Sequence, residues 1–271
     1  STLAMLAAYH DGRGTAEEVE RVIAQIHGFN PNNTEVYATL ATSAERRYHF
    51  TDAVAWSRNA IATDPTDWKG YHHAGMSLLR LGEEDEGYKM LDKGFKMNRF
   101  NRWAYNTLLV LDKDFKKKEF LYKETEHFYV KLDKKDEKVV WPYLKDVIEE
   151  AWTKYTTKYH IEPKGPEQYN GKILLLMLPS HQLFSARTVG LPGLAASGVC
   201  FGQVITMPSP RVNDDSPNMF NWKHVFDHEF VHVLTIQLTN YNIPRWFTEG
   251  ISTWEEEDFS VDWDEAFLWA I

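Results

Sequence analysis

A period of 34 residues runs through the first hundred positions of the chain. Tyr37, Tyr71 and Tyr105 are spaced by it, Pro31 and Pro65 are spaced by it, and Gly14 and Gly82 stand twice as far apart. A unit of this length holds two antiparallel helices that cannot bury their apolar faces alone, so successive units must stack. With Pro65 closing one unit, Ala41, Ala53 and Ala60 take its small-residue positions, and Gly75, Gly87 and Gly94 take the same positions in the next. Side chains this small let helices approach closely. The spacing predicts units at 1–33, 34–67 and 68–101. A less regular helix at 102–118 follows, in which Asp112 falls where an apolar residue is expected. That helix is expected to cap the stack with a polar outer face turned to water.

The period resembles that of tetratricopeptide repeats, which implies a concave groove able to hold a peptide or a protein partner. The other reading is that the repeats only support the second half of the chain.

After Lys118 the rhythm changes. Phe128, Val130 and Leu132 alternate within 127–132 and predict a strand with one side on a core. Val140, Tyr143, Leu144, Val147, Ile148, Ala151, Trp152 and Tyr155 recur at threes and fours and predict a helix over 136–159. The run 172–178 is continuously apolar and bounded by Gly171 and Pro179, which reads as a strand covered on both faces. A short helix at 182–187, a Gly- and Ala-rich loop at 190–198 and a strand at 199–207 complete an α+β layer: a small sheet with helices beneath it.

Composition narrows the function. The chain has 271 residues, is 43% hydrophobic and carries a net charge of −9, enough for two domains, which we set at 1–118 and 119–271. Its one basic run, Lys116-Lys117-Lys118, is too short for a nucleic-acid footprint. No stretch of about 18 apolar residues suggests a membrane span. A lone cysteine, Cys200, rules out an internal disulfide and a multi-thiolate metal site, and reads as a buried strand thiol. The start at Ser1 fits a processed chain or an excised piece equally. The end at Trp269-Ala270-Ile271 lies inside an apparent apolar helix, so the second domain is expected to continue past it.

The chemistry concentrates at His228-Glu229-Phe230-Val231-His232, within a helix expected over 222–239. Residues four apart share a helix face, so both imidazoles can reach one metal ion about 2 Å away, with Glu229 beside them as a base for an activated water. A catalytic zinc site needs a third protein ligand. Glu249 offers it from a second helix begun by Pro244 after a turn at 240–243. The competing reading is a surface helix with three unconnected polar residues. His224 lies on the same face as His228, but it stands about 12 Å from His232 along the axis and cannot share an ion with both. Asp227, Thr253 and His181 are weaker candidates for supporting roles.

His228, Glu229 and His232, with Trp246, Glu249 and Gly250 downstream, resemble the gluzincin, or thermolysin-like, zinc metallopeptidases. More closely, they resemble the peptidase MA-like domains that bacteria join to tetratricopeptide repeats. The likeness covers roughly 120–260. It implies Zn2+ held by His228, His232 and Glu249, Glu229 as general base, a peptide or protein substrate, and a bacterial exported or periplasmic setting. It also implies that 199–207 is the sheet edge along which extended substrate pairs. The interval from His232 to Glu249 is shorter than in thermolysin, and Thr253 stands where that enzyme has an aspartate supporting the site. Related enzymes stabilise the oxyanion with a Tyr or His well after the third ligand; this chain has neither after Tyr241. The expected activity is peptide-bond hydrolysis; the rival expectation is a tetratricopeptide scaffold whose peptidase-like zinc domain has lost turnover.

Overall fold

Helix pairs follow one another at the period read from the sequence. A computed structural model describes residues 2–210 and 221–256; the expected helix end at 269–271 lies outside them. The pairs are α1 (Thr2–Gly12) with α2 (Ala16–Phe29), α3 (Glu35–Arg46) with α4 (Phe50–Thr63), and α5 (Trp68–Arg80) with α6 (Glu84–Met97), followed by α7 (Arg102–Phe115). Ala41, Ala53 and Ala60 are fully buried. The requirement for small residues is strictest between α5 and α6: a Cβ on Gly75 would stand 2.6 Å from Leu91 Cγ and 3.0 Å from the Gly87 carbonyl oxygen. The result is a tetratricopeptide-like array packed largely by alanine, glycine and aliphatic contact.

The cap differs from expectation. The outer side of α7 does not face water; it meets α9 (His181–Val189). Asn106 Nδ2 donates to the Gly190 carbonyl at 2.9 Å and Thr107 Oγ1 to the Ala186 carbonyl at 3.0 Å. Asp112, out of place in an apolar pattern, accepts from the Tyr88 hydroxyl at 2.9 Å.

Five strands form one mixed sheet in the order β1-β2-β3-β5-β4. They are β1 (Phe120–Glu124), β2 (Phe128–Asp133), β3 (Ile173–Leu178), β4 (Val199–Cys200) and β5 (Val204–Pro208). β2, β3 and β5 run parallel, and β1 and β4 add antiparallel edges. Alternation along β3 divides the interior into two cores. Ile173, Leu175 and Met177 join Phe128, Val130 and Leu132 against α8 (Trp141–Tyr159) and α10 (Trp222–Leu238). Leu174, Leu176 and Leu178 meet Phe184 of α9 and Val110 of α7 on the other side. The sheet is therefore the middle of three layers.

Four expectations change. β1 has no counterpart in the sequence reading, because Lys123 and Glu124 blur its alternation. β2 is covered on both faces: Lys131 is buried and contacts Glu84 Oε2 at 2.8 Å and Asp114 Oδ2 at 2.5 Å, while Arg187 reaches Glu84 Oε1 at 3.1 Å. The long helix starts at Trp141 and not at 136, in keeping with Pro142 in its first turn. The single strand at 199–207 is a hairpin turned at Gly202, whose φ is +86°. Only Val199–Cys200 is an edge, and Val204–Pro208 lies inside the sheet.

Candidate metal centre

α10 begins with the Asn221 side chain capping the His224 N–H, and its apolar residues Phe226, Phe230, Val231 and Leu234 are buried against the sheet. That anchoring fixes the rotation of the helix and turns His228, Glu229 and His232 toward a cleft of about 440 Å³. After Leu238 the chain turns through Asn240 and Tyr241, both at positive φ, and returns as α11 (Arg245–Glu255) packed on α10. Glu249 thereby meets the two histidines.

Glu249 Oε2 lies 3.3 Å from His232 Nε2 and 3.4 Å from His228 Nε2, and the two ring nitrogens are 3.1 Å apart. Donors around a tetrahedral zinc with bonds of about 2.0–2.1 Å stand about 3.3–3.4 Å from one another. The observed triangle has that size.

The hydrogen bonds behind the rings assign the protons. Glu256 Oε1 is 2.5 Å from His228 Nδ1, and a carboxylate can only accept, so Nδ1 carries the proton. His232 Nδ1 contacts Thr248 Oγ1 at 2.7 Å, Thr248 Oγ1 contacts Thr235 Oγ1 at 2.7 Å, and Thr235 donates to the Val231 carbonyl at 3.0 Å. Each hydroxyl has one proton to give, so the direction of this chain makes His232 Nδ1 its first donor. In the neutral rings both Nε2 atoms then carry lone pairs, facing each other and a carboxylate oxygen. Three lone-pair donors at this separation repel unless a cation sits among them, which is the chemical fit of these residues to a metal. Among the described residues, His228, His232 and Glu249 are the set able to converge in this way.

Electrostatics differ within the site. Where a ring proton stands among these atoms in place of a metal ion, hydrogen bonds from protonated His228 and His232 hold the Glu249 carboxyl well below the usual carboxylate range. The same glutamate does not act equally on both rings: burial wins at His232 and lowers its pKa, whereas Glu249, Glu229 and Glu256 together outweigh burial at the less enclosed His228 and raise it. Burial pushes the Glu229 carboxyl up to about 8; Glu249 adds to the rise and His228 opposes it. A divalent cation beside Glu229 favours its ionised form. Glu229 lies against Gly198 so closely that a Cβ there would come within 2.7 Å of Glu229 Cγ. The Gly-rich loop thus forms a wall of the cleft.

The remaining candidates fall elsewhere. His224 lines the cleft away from the three-atom set. His181 Nε2 is 3.1 Å from the Ala196 carbonyl, tying α9 to the Gly-rich loop. Asp227 is buried, with Tyr155 close enough to feel its charge, and Thr253 is exposed. Cys200 is buried on β4, and burial raises its thiol pKa. The supports behind the rings, Thr248 and Glu256, were not anticipated from the sequence; they are neighbours of Glu249 on its own helix or just past it. Tyr48 was also missed. It lines the cleft from the repeat array with φ at +63°, and its place midway between Gly14 and Gly82, also at positive φ, was readable from the 34-residue spacing.

No protein-family model matches the chain, and no curated protein matches it. Solved structures similar to part of the chain include a mutant O-GlcNAc transferase of Thermobaculum terrenum, with TM-score 0.32 and 21% identity over 41% of this chain and 21% of that one. Another is Naa15/Naa10 bound to HypK-THB, with TM-score 0.32 and 18% identity over 43% of this chain and 17% of that one. The chain spans about a fifth of the length of either. No helix among the described residues is long and apolar enough to cross a membrane.

Proposed function

We propose that the chain is a zinc-dependent peptide-bond hydrolase of gluzincin type, with residues 1–118 as its repeat unit and 119–271 as its peptidase unit. One observation carries the reading: three metal-ligating atoms meet at 3.1–3.4 Å with their lone pairs inward, and the Glu229 carboxylate stands beside them. His228, His232 and Glu249 would hold the ion. When bound, zinc supplies acidification of a water and polarisation of a carbonyl.

The protein's own residues do the rest. Glu229, with no hydrogen-bond partner among the described residues, accepts the proton of the attacking water and returns it to the leaving amine nitrogen. Glu256 and Thr248 keep the imidazoles turned inward. The outer side of β4 offers backbone groups to an extended peptide, which can pair there whatever its sequence.

The rival reading is a protein-interaction scaffold built on the tetratricopeptide-like array, and its own support is that array. Its peptidase-like zinc domain would hold the metal without turnover, so the three converging atoms fit both readings, and it is Glu229 beside them that favours the hydrolase.

Metal analysis and peptide digestion on the same preparations separate the two. Wild type should hold close to one zinc per chain, with His232→Ala and Glu249→Gln losing most of it. Glu229→Gln should keep zinc and lose at least about 100-fold in cleavage, the usual worth of a general base. Zinc lost from the Glu229 variant would make that residue a ligand, and a zinc-loaded wild type that cleaves no peptide would leave the scaffold.

A further inference from the structure

A second recess opens beside the metal cleft and shares Tyr48, Leu194, Val199 and Arg245 with it. It encloses about 370 Å³ between the repeat array and the sheet. Three arginines line it, Arg46, Arg80 and Arg245, against one carboxylate, Glu45. In a chain of net charge −9 this is a local reversal of sign.

Glu45 answers the charge of Arg80 alone among the three. It already accepts from His73 Nδ1 at 3.1 Å and Ser77 Oγ at 3.1 Å, and it pairs with Arg80 Nη1 at 3.4 Å. Burial alone would raise its carboxyl, but these partners draw it down to about 2. Arg46 is exposed and has no hydrogen-bond or ion-pair partner among the described residues. The Arg245 side chain is 78% exposed, and its ion-pair partner among the described residues is the metal-site Glu249, at 3.3 Å. Arg80 lies over the Phe50 and Phe201 rings at 5.4 and 5.5 Å, which fixes its position.

Two polar atoms in the wall are also incomplete. Arg80 Nε and the hydroxyl of Thr188, a residue 2% exposed, are buried without a hydrogen-bond partner among the described residues. Buried polar atoms left in this way are uncommon and costly. Tyr48 stands at the partition between recess and cleft. It keeps a left-handed backbone where the equivalent turns of the array carry glycine, and its hydroxyl has no partner among the described residues. Strain maintained at such a position is a mark of use.

We propose that this recess binds a carboxylate of the peptide substrate and so selects peptides with an acidic group near the scissile amide. Arginine forks match a carboxylate with two parallel hydrogen bonds, and the apolar Leu194, Val199 and Phe201 accommodate the methylenes that carry it. The word substrate rests on the hydrolase reading above; capture of the anion does not require turnover. Both an acidic side chain and a free chain terminus present this chemistry.

Binding is measured on the full zinc-loaded chain carrying Glu229→Gln, which removes cleavage from the readout. The probes are short blocked alanine peptides with one glutamate stepped through each position, their glutamine counterparts, and an alanine peptide with a free carboxyl terminus beside its amide. The expected result is at least a tenfold preference for the acid over its amide, from the charge-assisted bonds, that shrinks as salt is added. Addition of Arg46→Gln or Arg245→Gln should collapse that ratio toward one with the thermal melt unshifted. A preference among glutamate positions assigns a side chain; a preference for the free terminus assigns the chain end. Equal binding of acid and amide, no binding of either, or a preference that survives both arginine variants overturns the proposal. If wild type cleaves nothing while the preference and its loss both stand, the hydrolase reading fails and the recess remains an anion site.

Discussion

The interior of the repeat array and its junction with the sheet are held by opposite means. Between α5 and α6, Gly75 and Gly87 let backbones nearly touch, and Leu79 and Leu91 fill the remaining space with hydrocarbon. Where α6 and α7 meet β2 and α9, Glu84, Asp114, Lys131 and Arg187 are all buried and answer one another's charge. Burial alone would lift the Glu84 carboxyl, yet Lys131 and Arg187 hold it below its ordinary value. Hydrocarbon contacts tolerate modest repacking. A buried ion network does not, because removal of one member strands the others away from water.

The largest effect is therefore expected from Lys131→Met. It should lower unfolding free energy by about 3–5 kcal/mol, read from the urea midpoint; a loss below about 1 kcal/mol would show that the network is solvated and the contrast with the array is wrong.

Acid should attack the other side first. His72 in α5 accepts at Nδ1 from Asn101 Nδ2 at 3.3 Å, and burial, helped by the positive charge of His73, lowers its pKa from 6.5 to about 4. Its folded pKa lies below its unfolded value, so the unfolded chain takes up protons first. The stabilisation is complete above about pH 6.5 and is lost as pH falls toward 4, on the order of 3 kcal/mol in all. His72→Gln should flatten stability over that window. Glu45 gives the same sign in a lower window: its stabilisation holds above about 4.5 and is lost as pH falls toward 2.

A third test compares glycines. Gly198→Ala should push Glu229 aside and cut cleavage about 100-fold with zinc content and melting little changed. Gly75→Ala should destabilise by about 1–3 kcal/mol through overpacking and leave the zinc affinity of the folded fraction alone. The smallest effect is expected for Glu256→Gln, which keeps an acceptor at His228 but removes its charge; zinc affinity should fall about tenfold, measured by competition with a chelator.

How much could be read in advance depends on the range of the forces involved. The array was legible because a repeat writes the same contact into the sequence at a fixed interval, and β3 was legible because both its faces are apolar. His228 and His232 declare themselves by spacing alone. By contrast, Lys131 looks like the wet side of an alternating strand until Glu84, 47 residues earlier, is brought over it. Gly202 divides one apparent strand into two because Tyr241 packs against its turn. Glu256 cannot be told from the acidic residues beside it until α11 turns it toward His228.

The buried quartet also bears on how such a chain can change over generations. Arrays of short repeats ordinarily gain and lose units by duplication and deletion, since each copy needs only its neighbours. Here Glu84 opens α6, Asp114 lies near the end of α7, and both must meet the same Lys131. An extra 34-residue copy between those helices would carry one carboxylate away from the lysine and leave it buried or unmatched. These four charges thus oppose insertion or loss of a unit between α6 and α7, a constraint that copies nearer the amino terminus do not share.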